Sequence, residues 1–222
     1  MKLKKLVAIT LSAVMCMAAL TGCGGKSDSA KKTAKVIEVD LTDEQYAFGV
    51  DKDQPDLLKE VNQFVKDMKS DGTFDEICNR YFGDGTPVPV KSAAYDESKD
   101  QLVVATNAAF EPFEYMDGEN YVGIDMEIAK ALADKLGKEL VIQNMDFDAV
   151  CLSVGQHKCD VAMAGLTIKP DREEYVAFSD PYYSASQKLI TLSTDTEFDA
   201  CKTADDVNKI LEAKGSDLKI GF

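Results

Sequence analysis

The chain has 222 residues, with 39 acidic and 25 basic side chains and a single histidine, and its formal net charge is −14. An acidic chain lacks the basic surface on which nucleic-acid binding depends, and one histidine excludes zinc sites that need several. We therefore expect no nucleic-acid partner, no metal and no cofactor. The apolar fraction of 45% is normal for a globular protein, and the length allows one large domain or two small ones.

Residues 1–22 have the features of a secretory signal. A basic start precedes an apolar run at 6–20, which is too short to span a membrane comfortably. The run ends in Leu-Thr-Gly-Cys at 20–23, and small residues before a cysteine resemble the signal of bacterial lipoproteins. The resemblance implies cleavage before Cys23 and lipid on that cysteine; an ordinary signal peptide with a chance cysteine is the alternative. The small, polar residues that follow predict a flexible tether at 23–35.

Six cysteines are present, of which four lie in neither the signal nor the lipid site: Cys78, Cys151, Cys159 and Cys201. An exported protein can form disulfides, and four cysteines allow three full pairings. If Cys151 and Cys159 lie on one helix, about 12 Å of rise separates them, which is too far for a direct bond. We favour buried free thiols, and the pairing stays open.

The first block of the mature chain predicts two strands followed by two helices. Residues 35–40 and 46–50 are short runs of strand-forming residues. Apolar side chains then recur at helical spacing after Pro55, and Gly72 ends that helix. A second apolar helical face runs along residues 74–82.

Residues 83–100 separate this block from the rest of the chain. They contain two glycines, two prolines and two serines, with mixed charge and little periodicity. A run of this length without secondary structure is uncommon inside a compact domain and is typical of a linker.

The second block alternates strands with helices. Strands are predicted at 102–105, 140–142, 160–164, 188–192 and 218–222, helices at 124–136, 149–157 and 204–214, and a short helical turn at Arg172. This alternation predicts an α/β fold with a mainly parallel sheet. One strand and one helix after Ser184 are too few to build a core of their own, and the last strand stops as it begins, so we expect the chain to be incomplete at its end.

Short motifs in the second block point to a known family. They are ATNAAFEPFE at 105–114, GIDM at 123–126, MDF at 145–147, AGLTIKPDR at 164–172 and FSDPYY at 178–183. Together they resemble the N-terminal half of the extracellular solute-binding proteins, family 3, of amino-acid ABC importers. The resemblance implies a periplasmic-binding-protein-like (type II) fold, in which two α/β lobes close on a ligand by a hinge motion.

The first block resembles the C-terminal end of the same family, through LTDE at 41–44, YAFGV at 46–50 and DGTFDEI at 71–77. In the usual order this segment comes last. The chain therefore resembles a circular permutant in which 83–100 joins the old termini, and domain termini are often close together at the surface. We expect lobe 1 at 36–184, completed by the permutation, and an incomplete start of lobe 2 at 185–222.

The resemblance assigns ligand contacts first to three positions. A planar guanidinium pairs with a carboxylate through two hydrogen bonds, and Arg172 matches the family's carboxylate-binding arginine. Thr167 matches the threonine whose N–H and hydroxyl meet the carboxylate and amine, and Gly165 matches the position whose carbonyl accepts from the ammonium. The alternatives are a surface arginine paired with Glu173 or Glu174, and a strand-end turn that needs small residues.

Three further positions concern the ligand side chain. Phe110 and Phe147 match aromatic residues that wall the pocket, where a ring offers apolar area and a face for a cation; a core role is the alternative, and we assign Phe113 to the core. Asn107 stands where some relatives carry aspartate, which leaves a charge contact with a basic ligand in doubt. His157 is expected to be solvated, and we assign it no role.

Together these features predict a lipid-anchored protein on the extracytoplasmic face of the cell membrane. The resemblance implies that it captures an amino acid and delivers it to the permease subunits of an ABC importer, without enzymatic activity. Two alternatives stay open: a sensory or partner-binding lipoprotein of the same fold, and a cyclohexadienyl dehydratase-like enzyme, which would need an acidic group in the cleft. The amino acid stays undetermined, and with one cleft wall we expect residues 23–222 alone to bind weakly or undetectably.

Overall fold

The computed structural model describes residues 33–215 and 218–221, so the predicted signal, Cys23 and most of the predicted tether lie outside the described residues. Within them the chain forms twelve strands and six helices. The strands are β1 (Ala34–Val36), β2 (Glu44–Tyr46), β3 (Gly49–Asp51), β4 (Gln101–Thr106), β5 (Ala109–Phe110), β6 (Glu114–Asp117), β7 (Asn120–Val122), β8 (Glu139–Asn144), β9 (Val161–Ala162), β10 (Val176–Phe178), β11 (Tyr183–Ala185) and β12 (Ile190–Leu192). The helices are α1 (Pro55–Ser70), α2 (Thr73–Phe82), α3 (Ile124–Leu136), α4 (Phe147–Gly155), α5 (Pro170–Glu173) and α6 (Ala204–Ala213).

A five-stranded sheet in the order β10-β3-β9-β4-β8 forms the centre of the molecule. Strand β4 runs parallel to β8 and β9, whereas β3 runs antiparallel to β9 and β10. Strands β10, β9, β4 and β8 therefore share one direction and β3 alone runs against them. The sheet is mixed, and the prediction of a mainly parallel sheet is confirmed for four of its five strands. Strand β3 precedes residues 83–100 and its two partners follow them, so both blocks of the chain build one sheet.

Both faces of this sheet are covered. On strand β4, Leu102 and Val104 point into a core shared with α1 and α3, while Val103 and Ala105 point into a second core shared with α4. Side chains alternate between the two faces of a strand, so a fully apolar run such as this one is buried on both sides. The result is a three-layer α/β body.

Helix α1 shows how the local sequence sets this packing. Pro55 occupies the first turn, where its missing N–H is not needed. Five apolar side chains at helical spacing are buried against the sheet: Leu57, Val61, Phe64, Val65 and Met68. Each contributes about 1.5–3 kcal/mol by leaving water. The helix ends at Ser70, and Gly72 follows with a φ of +87°, a conformation that favours glycine.

Residues 83–100, here called the strap, contain no helix and no named strand but are held against the body. The Val90 N–H donates to the Tyr121 carbonyl at 2.7 Å, and the Tyr121 N–H donates back at 3.0 Å. The Ala93 N–H donates to the Leu140 carbonyl at 2.9 Å, and the Ile142 N–H donates to Ser92 Oγ at 2.8 Å. The strap thus follows β7 and β8 and occupies the outer edge of the central sheet.

A two-stranded antiparallel ribbon, formed by residues 34–46 and 183–192, leaves this body. It pairs β1 with β12 and β2 with β11, and it leads to a small apolar cluster of four buried residues: Ile37, Val39, Phe198 and Val207. The segment after Ser184 was expected to lack a core. It takes part in one because Ile37 and Val39 join it from the other end of the chain.

Several predicted elements have different bounds. The strand predicted at 46–50 is divided between β2 and β3, because the chain passes from the ribbon into the central sheet at Ala47 and Phe48. The helix predicted at 149–157 begins at Phe147 and ends at Gly155. Residues 218–221 form no strand, so that prediction was wrong for the described part of 218–222.

The four cysteines predicted to remain in the mature protein are all unbonded. Cys151 and Cys159 are buried, whereas Cys78 and Cys201 are only partly buried. The prediction of free thiols is therefore confirmed, and that of burial holds for two of the four. Within residues 33–215 and 218–221, none of the helices combines the length and apolar character that a membrane span requires.

Candidate ligand-binding site

A cavity of about 380 Å³ lies at the carboxyl ends of the central parallel strands. The chain leaves β4, β8 and β9 at this edge, where ligands bind in open α/β sheets. All six residues predicted to contact a ligand line the cavity: Asn107, Phe110, Phe147, Gly165, Thr167 and Arg172. Seven residues that the sequence did not single out also line it: Glu44, Tyr46, Ala109, Glu114, Ala164, Lys169 and Gln187.

Arg172 presents its guanidinium at the cavity from the short helix α5. Its Nη1 donates to the Thr167 carbonyl at 2.9 Å, and its Cζ lies 5.1 Å from the centroid of the Phe147 ring. Among the described residues no carboxylate forms an ion pair with Arg172; the arginine ion pairs there belong to Arg80. The alternative of a surface pair with Glu173 or Glu174 is therefore wrong, and the positive charge is available to an anion.

The two aromatic residues of the cavity differ in their surroundings. Phe147 is 41% exposed, and one face of its ring is covered by the Arg172 guanidinium. Phe110 is 44% exposed, and its ring stacks on Phe113 with centroids 5.6 Å apart. Phe113 itself is buried, which confirms its assignment to the core. Each exposed ring leaves apolar surface for a ligand side chain.

Gly165 is required by its backbone conformation and by close packing. Its φ is +52°, and a Cβ built there would lie 3.0 Å from Phe110 Cε1. Its N–H donates to Asp125 Oδ2 at 2.9 Å. This N–H is therefore already used within the protein, and Phe110 sits where any larger residue at position 165 would collide.

Asn107 also makes an internal contact. Its Nδ2 donates to the Met145 carbonyl at 2.7 Å, which joins the segment after β4 to the segment after β8. The side chain lines the cavity while its amide group fixes the local backbone.

Glu44 was missed by sequence reasoning and lies beside Thr167. Its Oε2 accepts from Thr167 Oγ1 at 3.0 Å. Its Oε1 accepts from Thr42 Oγ1 at 3.0 Å and from Gln187 Nε2 at 2.9 Å. Glu44 and Thr167 are 123 residues apart in the chain, and no local pattern distinguishes this glutamate from the other acidic residues of an acidic protein.

A second carboxyl, that of Glu114, lines the cavity from a buried position. Glu114 is 1% exposed, and its Oε2 has no hydrogen-bond partner within the described part of the chain. Burial raises the pKa of Glu114 far above its ordinary value, and the nearby Asp125 carboxylate adds to the shift. Burial also raises the pKa of Asp125, although hydrogen bonds from Gly165 and Tyr182 oppose that shift. Burial and the Asp125 carboxylate both favour the protonated form of Glu114.

His157 lies away from this cavity and is not simply solvated. Its Nδ1 lies 2.8 Å from Oδ2 of the buried Asp51, and its Nε2 lies 3.6 Å from Asp53 Oδ2. The contact with Asp51 raises the pKa of His157. His157 is exposed, as expected, with 57% of its side chain accessible, and its ring also contacts Asp51 on β3. Among residues 33–215 and 218–221, no cluster of histidine, cysteine, aspartate and glutamate is arranged to hold a metal ion.

Comparison with known families identifies the class of protein. The model of the bacterial extracellular solute-binding proteins, family 3, matches residues 8–84 and 102–218. The chain belongs to this family. The membership confirms the predicted α/β fold of the periplasmic-binding-protein-like proteins.

Individual relatives match a smaller part of the chain. The arginine-binding extracellular protein ArtP of Bacillus subtilis (strain 168) is 40% identical over 96 residues, which are 43% of this chain and 38% of that protein. The ABC transporter arginine-binding protein 1 of Escherichia coli (strain K12) is 33% identical over 92 residues, covering 41% of this chain and 38% of that protein. The cyclohexadienyl dehydratase of Pseudomonas aeruginosa is 33% identical over 95 residues, which are 42% of this chain and 35% of that protein. The chain thus spans less than half the length of these relatives.

Solved structures give matches of similar extent. An ancestral arginine-binding protein bound to arginine is 42% identical, with a TM-score of 0.37 and 38% of each chain covered. The arginine-bound form of domain 1 from TmArgBP is 35% identical, with a TM-score of 0.37, and the match covers 54% of this chain and 99% of that one.

Proposed function

We propose that this chain is the extracellular binding component of an ABC importer and that it binds an amino acid in the cavity. The observation that carries the proposal is the guanidinium of Arg172, which faces the cavity with no carboxylate partner among the described residues. A partly buried cation without an anion is a site for one, and the planar fork of an arginine suits a carboxylate.

The groups around Arg172 suit the remainder of an amino acid. Nη1 is engaged with the Thr167 carbonyl and the Thr167 hydroxyl donates to Glu44, so the other N–H groups of the guanidinium are the donors for a ligand carboxylate. The exposed rings of Phe110 and Phe147 offer apolar walls for a side chain. A small apolar cleft with a few convergent polar groups is the usual form of such a site.

Arginine is the amino acid to test first. Two of the relatives above are named as arginine-binding proteins, and the cavity carries the carboxyl groups of Glu44 and Glu114. A cationic ligand would be attracted to the Glu44 carboxylate and to an acidic chain of net charge −14.

The proposal extends to the organisation of the chain. Residues 36–184 would form lobe 1, with the strap joining two segments of a permuted lobe, and 185–222 would begin lobe 2. The mixed sheet supports this, since β3 of the first block lies between β9 and β10 of the second. The ribbon would be the crossover between lobes about which a cleft closes. Lipid on Cys23 would hold the protein at the outer face of the membrane, beside its permease.

Calorimetric titration of the chain with the twenty amino acids, up to millimolar concentrations, tests the proposal. We expect heat from L-arginine and little from glutamate, and a dissociation constant in the millimolar range or tighter. Absence of binding by every amino acid would contradict it. Arginine amide, which keeps the side chain and lacks the carboxylate, is the matched ligand control and should bind far more weakly.

One observation favours a second candidate, an enzyme of the cyclohexadienyl dehydratase type. Such an enzyme needs an acid in the cleft, and Glu114 is a carboxyl at the cavity wall whose burial raises its pKa and favours its protonated form. Incubation with prephenate or arogenate distinguishes the two: turnover that Glu114→Gln abolishes would establish the enzyme, and no turnover would leave the binding protein.

A further inference from the structure

Glu44 is a carboxylate at the cavity whose hydrogen-bond partners in the described part of the chain are all neutral. The Thr42 hydroxyl, the Thr167 hydroxyl and the Gln187 amide each donate to it, at 3.0, 3.0 and 2.9 Å. Two cations, Lys169 and Arg172, also line the cavity, but within the described residues neither forms an ion pair with Glu44. The three donors fix the carboxylate in position without neutralising its charge.

Thr167 places this carboxylate next to the guanidinium of Arg172. Its carbonyl accepts from Arg172 Nη1 at 2.9 Å, and its hydroxyl donates to Glu44 Oε2 at 3.0 Å. A positive group and a negative group therefore lie on the two sides of a single residue. An α-amino acid carries the complementary pair, since its carboxylate and ammonium are bonded to the same carbon.

Glu44 also has capacity for another donor. A carboxylate offers about four lone-pair positions, and three are occupied. A hydrogen bond between two charged groups is about twice as strong as one between neutral groups, so an ammonium would compete well for the remaining position and for the one now held by Thr167.

We infer that Glu44 binds the α-ammonium of the ligand while Arg172 binds its carboxylate. The inference rests on the proposed function and adds a second charged contact to it. It makes the cavity of this part of the chain complementary to a zwitterion, rather than to carboxylates in general.

The test compares L-arginine with its analogues on the wild-type chain and two variants. L-arginine is titrated against 5-guanidinopentanoic acid, which keeps the carboxylate and guanidinium and lacks the α-ammonium. The wild-type chain should prefer L-arginine by about tenfold to hundredfold, the range expected for one charge-assisted hydrogen bond. Glu44→Gln should lose most of this preference by weakening arginine binding alone. Asp43→Asn, which removes the neighbouring exposed charge, should keep the preference.

Three results would overturn the inference. Equal weakening of both ligands by Glu44→Gln would mean that Glu44 only shapes the ribbon. Citrulline, which keeps the α-ammonium and lacks the guanidinium charge, is titrated as a third ligand. If Glu44→Gln lost the preference for arginine over citrulline, and kept the preference over 5-guanidinopentanoic acid, the ligand side chain rather than its ammonium would lie at Glu44. An unchanged preference would mean that Glu44 does not contact the ligand. Binding of neither ligand by the wild-type chain would instead overturn the proposed function, and with it this inference.

A second variant guards against misfolding of the first. Glu44 is only partly buried, so Glu44→Ala leaves its three donors free to bind water. If thermal denaturation shows that Glu44→Gln is not folded, Glu44→Ala takes its place. It should show the same loss of preference for L-arginine over 5-guanidinopentanoic acid, and the same three results would count against the inference.

Discussion

At the scale of single residues, Arg172 is the side chain that we propose binds the ligand carboxylate. It donates to the Thr167 carbonyl, covers the Phe147 ring and has no ion-pair partner among residues 33–215 and 218–221. Truncating one member of a buried charge pair costs roughly 2–5 kcal/mol. We therefore expect Arg172→Ala to weaken arginine binding by about 30-fold or more, measured by calorimetry. Lys66→Ala, which removes an exposed charge on α1, should leave affinity unchanged; an equal loss in both variants would contradict a local contact.

Comparing alanine substitutions at Gly165 and Gly118 distinguishes the cost of backbone strain from the cost of a side-chain collision. Gly165→Ala adds a Cβ 3.0 Å from the Phe110 ring at a φ of +52°, whereas Gly118→Ala adds one at a φ of +60° with nothing within 4 Å. The shared strain costs about 1–2 kcal/mol. Urea denaturation should show the larger loss of stability for Gly165→Ala, together with weaker ligand binding. Equal losses would mean that Phe110 moves aside freely.

The contact between His157 and Asp51 leads us to expect that the stability of the folded protein depends on pH. This contact raises the pKa of His157 in the folded protein, so the folded state binds the proton more tightly than the unfolded chain. The stabilisation is present below the ordinary pKa of about 6.5 and is lost as the pH rises through the raised value. His157→Gln should therefore lower the urea midpoint more at about pH 5.5 than at about pH 8.5. Equal shifts at both values would contradict this role.

The residues of the site were predictable to different degrees. Arg172, Thr167 and Gly165 stand in one short motif, and the structure brings them to one cavity. Glu44 carries no such signal, because its place beside Thr167 depends on the antiparallel bridge between Tyr46 of β2 and Thr167. The buried Glu114 is likewise made distinctive by burial next to Asp125, which depends on tertiary packing.

At the scale of elements, the strap and α2 are joined to α3 through Glu127. This buried carboxylate accepts from Arg80 Nη1 and Tyr81 Oη, both at 2.7 Å, and from the Val88 N–H at 3.0 Å. The sequence indicated a linker at 83–100 but not its attachment. Backbone groups and one glutamate make these contacts, and they leave no periodic pattern.

The Arg80 guanidinium pairs with two carboxylates, and removing each in turn tests how much Glu127 contributes to holding the strap and α2 against α3. Arg80 pairs with Glu127, whose side chain is 7% exposed, and with Glu76, whose side chain is 73% exposed. Removing a buried partner costs about 3 kcal/mol, and removing an exposed one costs less than about 1 kcal/mol. Glu127→Ala should therefore destabilise the protein far more than Glu76→Ala in urea denaturation. Similar losses would show that the strap does not depend on Glu127.

At the scale of the whole molecule, two separated blocks of sequence form one sheet, and the ribbon connects this sheet to a small second cluster. The alternation of strands and helices was enough to predict the α/β class. It could not reveal the antiparallel entry of β3, because strand direction depends on the connection rather than on the strand's own residues.

Membrane attachment is a separate prediction at this scale. Two or more acyl chains give stable anchoring, since each buried CH₂ contributes roughly 0.8 kcal/mol. Cys23→Ser should therefore release the protein from the membrane fraction of the producing cell into the soluble extracellular fraction. Retention of the variant in the membrane would contradict lipid attachment at this cysteine.

The most direct test of ligand binding in this cavity is a titration of the isotope-labelled chain with L-arginine, followed through its backbone amide signals by NMR. The expected shifts are at Ala109, Thr167 and Arg172, which line the cavity, and not at Lys66 on α1. Millimolar binding is sufficient for detection. Saturable shifts confined to this set would support the site, whereas shifts centred elsewhere, or none at saturating arginine, would contradict it.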